Sequence, residues 1–293
     1  MKIKAHIINA FIDGNIGGNP AGVVLNADDL SSSQKLEIAS KIGLSEIAFV
    51  SPSKVADFKL DFFTPTKQIA HCGHATIATF VYLRELGLIT KTESSKETID
   101  GNREIYFDGD MAFMEQLAPS YKEVYHCIDA ICSSLRIAVD DLLNNQNPVI
   151  VNTGNSFLIV PLKDEKVVLD AHVDLDEIQR ISEEFDLIGY YIFSQKARVP
   201  GRDAATRMFA PRYGISEESA TGMAAGPLAC YLYDKLGINK DTFLIEQGHL
   251  MEPPSPSVIK VQLKLKGKKI FWLIAGGKAK VMESLIISIS ESG

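Results

Sequence analysis

Residues 72–76 read Cys-Gly-His-Ala-Thr and residues 220–224 read Ala-Thr-Gly-Met-Ala, and each stretch opens a run rich in apolar residues. A Phe-x-Pro element precedes each stretch, at 63–65 and at 209–211. Each motif predicts a turn that ends in a helix N-terminus, where free backbone N–H groups and the helix dipole favour an anion. The repeated pattern therefore predicts two similar lobes, with a substrate cleft between them.

Composition limits the class of protein. The chain has 293 residues, 46% of them hydrophobic, and a formal net charge of −7. This length suits two domains, and the acidic balance argues against nucleic acid or anionic membrane as a partner. No apolar run approaches the roughly 20 residues of a membrane span, and the N-terminus lacks a signal-peptide pattern. We expect a cytoplasmic protein.

The pattern of turns and apolar residues predicts a mixed α+β organisation. A first lobe is predicted over residues 1–117 and a second over 122–282. Residues 116–122, broken by Pro119, are predicted as the linker. The helix that begins near His74 is apolar on nearly every side, so we expect a sheet to surround it.

Glu46 is the first candidate for chemistry. It lies in a predicted strand, residues 45–50, among apolar neighbours. A carboxylate there must be paired, or must lie at a cleft that raises its pKa towards the working pH. Two interpretations stay open: a glutamate on an edge strand facing solvent, or a general base that takes a proton from carbon and returns it elsewhere.

The two helix starts supply further candidates. Cys72, Gly73 and His74 place a thiol, a flexible turn and an imidazole where backbone amides can hold a carboxylate. Glu218 precedes the second turn, although acidic residues before a helix are common dipole partners. The four cysteines are scattered and none forms a C-x-x-C pair, so the sequence predicts neither a metal site nor a disulfide framework.

Taken in order, these motifs resemble those of the PhzF family of phenazine-biosynthesis-like proteins. The matching segments are Gly18–Gly22, Leu44–Glu46, Phe62–Pro65, Cys72–Thr76, Met208–Pro211, Ala220–Gly222, Gly226–Leu228 and Glu246–Gly248. The resemblance implies a diaminopimelate-epimerase-like fold: two similar α+β lobes, each a barrel-like sheet around a central helix, with the site between them. It also implies that residues 283–293 pack back on the first lobe, and that the protein is a homodimer.

The resemblance also implies roles for individual residues. Glu46 would be the acid/base group, with His74 and Glu218 as its polar partners. The remaining candidates would bind the substrate carboxylate or line its pocket: Asn19, Cys72, Gly73, Thr221, Gly222 and Met223. No metal and no organic cofactor is implied.

Several positions depart from the family pattern. Glu218-Ser219 replaces a usual Asp-Pro, and Met223 replaces a small polar residue, so we expect a substrate other than the phenazine precursor. Asp61 and Gln68 replace a usual arginine and glutamate, and we interpret them as an exchanged structural pair.

The sequence thus predicts an isomerase that relocates a proton on a small carboxylate, plausibly a cyclic or unsaturated amino acid. Two alternatives stay open. One is an amino-acid racemase or epimerase that uses Cys72; Thr221 occupies the place of the second thiol, and its hydroxyl is a poor proton carrier near neutral pH. The other is a catalytically silent protein that binds a small ligand or a protein.

Overall fold

The computed structural model describes residues 1–144 and 146–290. Two compact units make up the chain: Met1–Glu115 together with the chain from Gly276 on, and Gln116–Ala275. Residues 276–282, predicted for the second lobe, thus group with the first unit. Of the segment predicted to pack back on the first lobe, residues 291–293 lie outside the described residues.

The first unit begins with alternating strands and helices. In chain order these are β1 Lys2–Ala10, β2 Asn19–Val24, α1 Ser32–Ile42, β3 Ile47–Pro52, β4 Phe58–Phe63, β5 Gln68–Ile69, α2 Gly73–Glu85, β6 Glu93–Thr98, β7 Gly101–Asp108 and β8 Met111–Leu117. Strand β8 continues past Glu115, the last residue of this part of the first unit, to Leu117.

The second unit repeats this alternation. Its elements are β9 Ser120–Glu123, α3 Ile128–Ser134, β10 Val149–Asn152, β11 Ser156–Pro161, α4 Glu165–Asp170, α5 Leu175–Glu184, β12 Gly189–Ser194, β13 Ala204–Ala210, β14 Ile215–Glu218, α6 Gly222–Asp234, β15 Thr242–Gln247, β16 Ser257–Lys266 and β17 Lys269–Gly277. Short 3₁₀ turns lie at Tyr125–Cys127, Val139–Asp141 and Pro211–Tyr213. The chain then forms β18, Ala279–Ser288, antiparallel to β1.

The two units share one strand topology. In the first, β1 and β2 are antiparallel, β2 and β3 parallel, β3 and β4 antiparallel, β4 and β6 parallel, and β6 and β7 antiparallel. In the second, β10, β11, β12, β13, β15 and β16 repeat that alternation in the same order. Parallel neighbours need a crossover connection, and helices supply it in both units. The repeated sequence motif corresponds to a repeated fold.

Helices α2 and α6 occupy equivalent places between parallel strands. Every residue of α2 from His74 to Leu83 is buried, as is every residue of α6 from Ala224 to Leu232. Helix α2 packs against β1, β2, β3 and β18, and helix α6 against β10, β11 and β16. The predicted central helix surrounded by sheet is therefore present in each unit.

Three local predictions are wrong. Glu46 does not lie within a strand, because β3 begins only at Ile47. It lies in the short connection after α1, which ends at Gly43 in the left-handed conformation (φ 73°). The predicted linker 116–122 is largely strand, formed by the end of β8 and by β9. Asp61 pairs with Lys35 rather than with Gln68: the Lys35 Nζ donates to the Asp61 carboxylate at 2.6 Å, with both side chains nearly buried.

Within the described ranges, no helix combines the length and apolar character that crossing a membrane requires.

Candidate active site

The first turn of α2 places a thiol and an imidazole at a helix N-terminus. Cys72 is the N-cap residue, with an extended backbone (φ −147°, ψ 123°), and its side chain makes no capping hydrogen bond. The first N–H groups of an α-helix have no acceptor within the helix, and here Gly73 begins the helix without a side chain over them. Cys72 is 7% exposed and His74 is 9% exposed. This turn can therefore receive an anion next to two groups that carry protons.

Glu46 and His74 form the central pair of this turn. The Glu46 Oε2 lies 3.4 Å from the His74 Nε2, and the Glu46 side chain is 16% exposed. Among the described residues the buried His74 Nε2 has no hydrogen-bond partner of good geometry. The backbone carbonyl of Glu46 accepts from the Gly22 N–H at 3.0 Å, which fixes the residue beside β2. The predicted acid/base group and its predicted partner are thus side by side.

The environment of His74 favours a neutral ring. Burial lowers the pKa of His74 below its usual range, whereas the Glu46 charge and the Pro20 backbone carbonyl act in the opposite direction. The effect of burial is the larger one, because the ring is nearly inaccessible to solvent. A neutral imidazole has one N–H donor and one acceptor, so it can orient a carboxylate and also exchange a proton with it.

Asn19 is placed near this pair by the turn that precedes β2. It is the first residue of β2, is 3% exposed, and directly precedes Pro20, whose carbonyl acts on His74. Gly18 has a φ of +86°, and a Cβ there would lie 2.6 Å from the Ala10 carbonyl oxygen. Only glycine fits that turn without a shift of the backbone.

Cys72 lies on the other side of the same imidazole. Its Sγ is 3.6 Å from the His74 Nδ1, whereas Glu46 approaches Nε2. The thiol, imidazole and carboxylate ligand atoms all lie within 4.8 Å of one another, and such donors suit Zn²⁺. That the site works without a metal stays a prediction.

In the second unit, the equivalent turn joins β14 to α6. Glu218 ends β14, and Thr221 is the N-cap residue, extended (φ −141°, ψ 102°) and without a side-chain capping bond, as Cys72 is. Gly222 begins the helix. The Asn155 Nδ2 donates to the Met223 Sδ at 3.6 Å, so the Gly-Asn turn of this unit lies beside the second residue of α6, the position that His74 has in α2.

Gln247 holds this second turn, although no motif in the sequence predicted a role for it. Its Oε1 accepts from the Tyr191 hydroxyl at 3.0 Å and from the Thr221 N–H at 3.1 Å, and its Nε2 donates to the Glu218 carbonyl at 2.7 Å. Gln247 is 1% exposed. The Thr221 N–H is thereby used within the protein, so the amides left for a ligand begin at Gly222. A glutamine in the run Glu246–Gly248 was visible in the sequence, but its partners lie far along the chain.

Proteins of similar sequence include isomerases. The chain is 34% identical over 239 residues to an uncharacterized isomerase, YddE, of Escherichia coli O157:H7, covering 79% of this chain and 80% of that one. It is 29% identical over 234 residues to the trans-2,3-dihydro-3-hydroxyanthranilate isomerase of Pseudomonas chlororaphis, covering 77% and 78%. These relatives identify the chain as an isomerase.

The family follows from a match along almost the whole chain. The family model for PhzC-PhzF, phenazine biosynthesis-like protein, matches residues 8–284. The crystal structure of a PhzF family protein from Bacillus anthracis superposes with a TM-score of 0.89 at 25% identity, covering 99% of this chain and 100% of that one. The chain belongs to the PhzC-PhzF family, which confirms the resemblance and the fold class predicted from its motifs.

Proposed function

We propose that this isomerase relocates a proton on a small carboxylate-bearing substrate, with Glu46 as the acid/base group. The observation that carries the proposal is the Glu46–His74 pair, 3.4 Å apart at the start of α2 and largely shielded from solvent. Shielding strengthens the interaction between the two groups, and the nearby helix N-terminus favours negative charge on a bound substrate.

The proposed reaction uses one carboxylate twice. Glu46 removes a proton from a carbon made acidic by an adjacent unsaturated system, and the electron pair moves along that system. The same carboxylic acid, whose proton exchanges with solvent, then returns a proton to a carbon further along on the same face. His74 orients the carboxylate, and the N–H groups that begin at Gly73 stabilise the negative charge that develops on the substrate carboxylate. The double bond moves, and no atoms are gained or lost.

The substrate class is a cyclic or unsaturated amino acid. The relative from Pseudomonas chlororaphis is named for a cyclic amino acid of this type, and proton relocation on such a compound needs no redox partner. The substrate-binding roles of Asn19, Cys72, Thr221, Gly222 and Met223 and the polar role of Glu218 remain predictions. So do a homodimer, which sedimentation equilibrium would test, and a cytoplasmic location.

The test combines ligand discovery with one substitution. A thermal-shift screen of small cyclic and unsaturated amino acids identifies ligands, and deuterium uptake from D₂O then reports proton transfer on each of them. We expect Glu46→Gln to lower turnover by about 10²–10⁴-fold with an unchanged melting temperature. The exposed Glu85→Gln at the end of α2 is the matched control. Full activity in Glu46→Gln would refute the mechanism.

An epimerase that uses Cys72 is the second candidate, because the thiol lies 3.6 Å from the His74 Nδ1. Loss of optical activity together with solvent deuterium at a single carbon, abolished by Cys72→Ser, would establish it in place of isomerisation. Tight ligand binding without hydrogen exchange on any ligand would instead favour a silent binding protein.

A further inference from the structure

One buried side chain holds the turn that joins β14 to α6. Gln247 ends β15 and is 1% exposed. Its Nε2 donates to the Glu218 carbonyl at 2.7 Å, and its Oε1 accepts from the Thr221 N–H at 3.1 Å. A single amide group therefore connects the end of β14 to the N-cap residue of α6, the two segments that carry the predicted site residues of this unit.

Backbone groups of opposite type fix the orientation of the Gln247 amide. An N–H group only donates and a carbonyl only accepts, so Oε1 faces Thr221 and Nε2 faces Glu218. The fully buried Tyr191 donates its hydroxyl to the same Oε1 at 3.0 Å. Gly248 follows with a φ of +75°, and a Cβ there would lie 2.7 Å from the Ser219 carbonyl oxygen. The backbone after Gln247 thus packs directly against the turn that its side chain holds.

The first turn of α6 depends on such side chains because the hydrogen bonds of the helix itself are incomplete there. Pro227 lies inside α6 and has no N–H, so the helix supplies no donor four residues on for the Met223 carbonyl. A second glutamine, Gln116 of β8, donates to the Gly222 carbonyl at 2.8 Å. It fits against the helix because Gly226 has no side chain: a Cβ there would lie 2.1 Å from the Gln116 Oε1. Two glutamines therefore supplement the hydrogen bonds of this turn.

The first unit holds its central helix from the equivalent strand, β6. Lys96 of β6 is fully buried, and its Nζ donates to the Thr76 Oγ1 at 2.6 Å. The Thr76 hydroxyl in turn donates to the Cys72 carbonyl at 2.6 Å. In both units, a buried polar side chain of the same strand of the repeat thus supports the start of the central helix.

We propose that Gln247 is a positioning residue of the active site, which fixes Glu218 and the start of α6 in the arrangement that binds the substrate. Its two backbone hydrogen bonds set the position of Glu218 relative to Thr221, directly before Gly222. Without the amide, the turn loses a donor and an acceptor in a place closed to bulk solvent. The inference rests on the proposed function, which assigns Glu218, Thr221 and Gly222 to the substrate.

The variant Gln247→Glu tests this role through pH. A protonated carboxylic acid has one O–H donor and one carbonyl acceptor, so it reproduces both backbone hydrogen bonds, and burial raises the pKa of such a group. Once ionised, the carboxylate only accepts, and its charge faces the Glu218 carbonyl oxygen. The probe is dehydro-L-proline, a small cyclic unsaturated amino acid. Its dissociation constant from the full chain is measured by NMR, from the ¹³C chemical shift of the Gly222 backbone.

We expect Gln247→Glu to bind the probe as the parent chain does at about pH 5.5, and at least about tenfold more weakly at about pH 9.5. A tenfold change in affinity corresponds to the loss of about one hydrogen bond. The control Gln179→Glu places the same carboxyl group at an exposed position of α5 and should match the parent chain at both pH values. Because the dissociation constant is measured on the folded chain, lower stability alone does not change it.

The proposal is overturned if the ratio of the two dissociation constants, Gln247→Glu to parent, is the same at both pH values. It is also overturned if the probe leaves the Gly222 shift of the parent chain unchanged, because the turn would then not bind the carboxylate. No turnover is measured and Glu46 is not altered. A constant ratio therefore leaves the Glu46 mechanism standing, and full activity of Glu46→Gln leaves the positioning role of Gln247 standing.

Discussion

The folding stability of the chain should depend on pH through Lys96. The pKa of this group falls from its ordinary 10.5 to about 7 in the folded state. Between these two values the unfolded chain binds a proton that the native state does not, so stability rises with pH. At about 1.4 kcal/mol per pH unit, the full effect is about 5 kcal/mol. The buried lysine thus destabilises the folded chain at and below neutral pH, and this destabilisation decreases as the pH rises towards 10.5.

Lys96→Met isolates this contribution, because other titrating groups affect both chains alike. The free energy of unfolding is measured by urea denaturation at pH 7 and pH 9 for the parent chain and the variant. We expect the parent chain to gain about 2 kcal/mol relative to Lys96→Met over this range, while Lys59→Met, 43% exposed at its side chain, shows no such trend. A difference that is constant between pH 7 and pH 9 would refute the argument for a neutralised buried amine.

Two further predictions concern the buried polar contacts. Asp61→Asn should lower the free energy of unfolding by about 3–5 kcal/mol, because it leaves the nearly buried Lys35 without its counter-charge; Glu37→Gln, in an exposed pair with Lys41, should have little effect in the same denaturation experiment. Gln247→Leu removes the acceptor for the Tyr191 hydroxyl and the Thr221 N–H, so at about 1–3 kcal/mol for each unsatisfied group it should destabilise the chain by about 2–6 kcal/mol. The exposed Gln179→Leu is its control, and equal stability of the two variants would contradict the role given to Gln247.

The duplicated turn was readable from the sequence because its signals are local. Glycine at the first helical position and an apolar run behind it are sufficient to predict a buried helix at α2 and α6. Glu46 and His74 could each be predicted as a site residue from its own sequence motif, but only the fold shows that they lie 3.4 Å apart.

What the sequence could not supply depends on long-range partners. Every residue of β6, the strand that holds Lys96, is polar, and nothing nearby in the chain shows that the Lys96 amine is enclosed beside Thr76. The same holds for Asp61, whose partner Lys35 comes from α1 rather than from the adjacent Gln68. The segment 116–122 was predicted as a linker from Pro119, yet strand pairing on either side of one break outweighed that signal.

Deuterium uptake by a bound substrate is the measurement that tests the central claim most directly. In D₂O, with a ligand from the amino-acid screen, the parent chain should introduce deuterium at the carbon to which the proton is returned, and Glu46→Gln should introduce it about 10²–10⁴ times more slowly while binding the ligand and folding normally. Deuterium uptake at the same rate in Glu46→Gln would contradict the account, because it would move the proton transfer to another group.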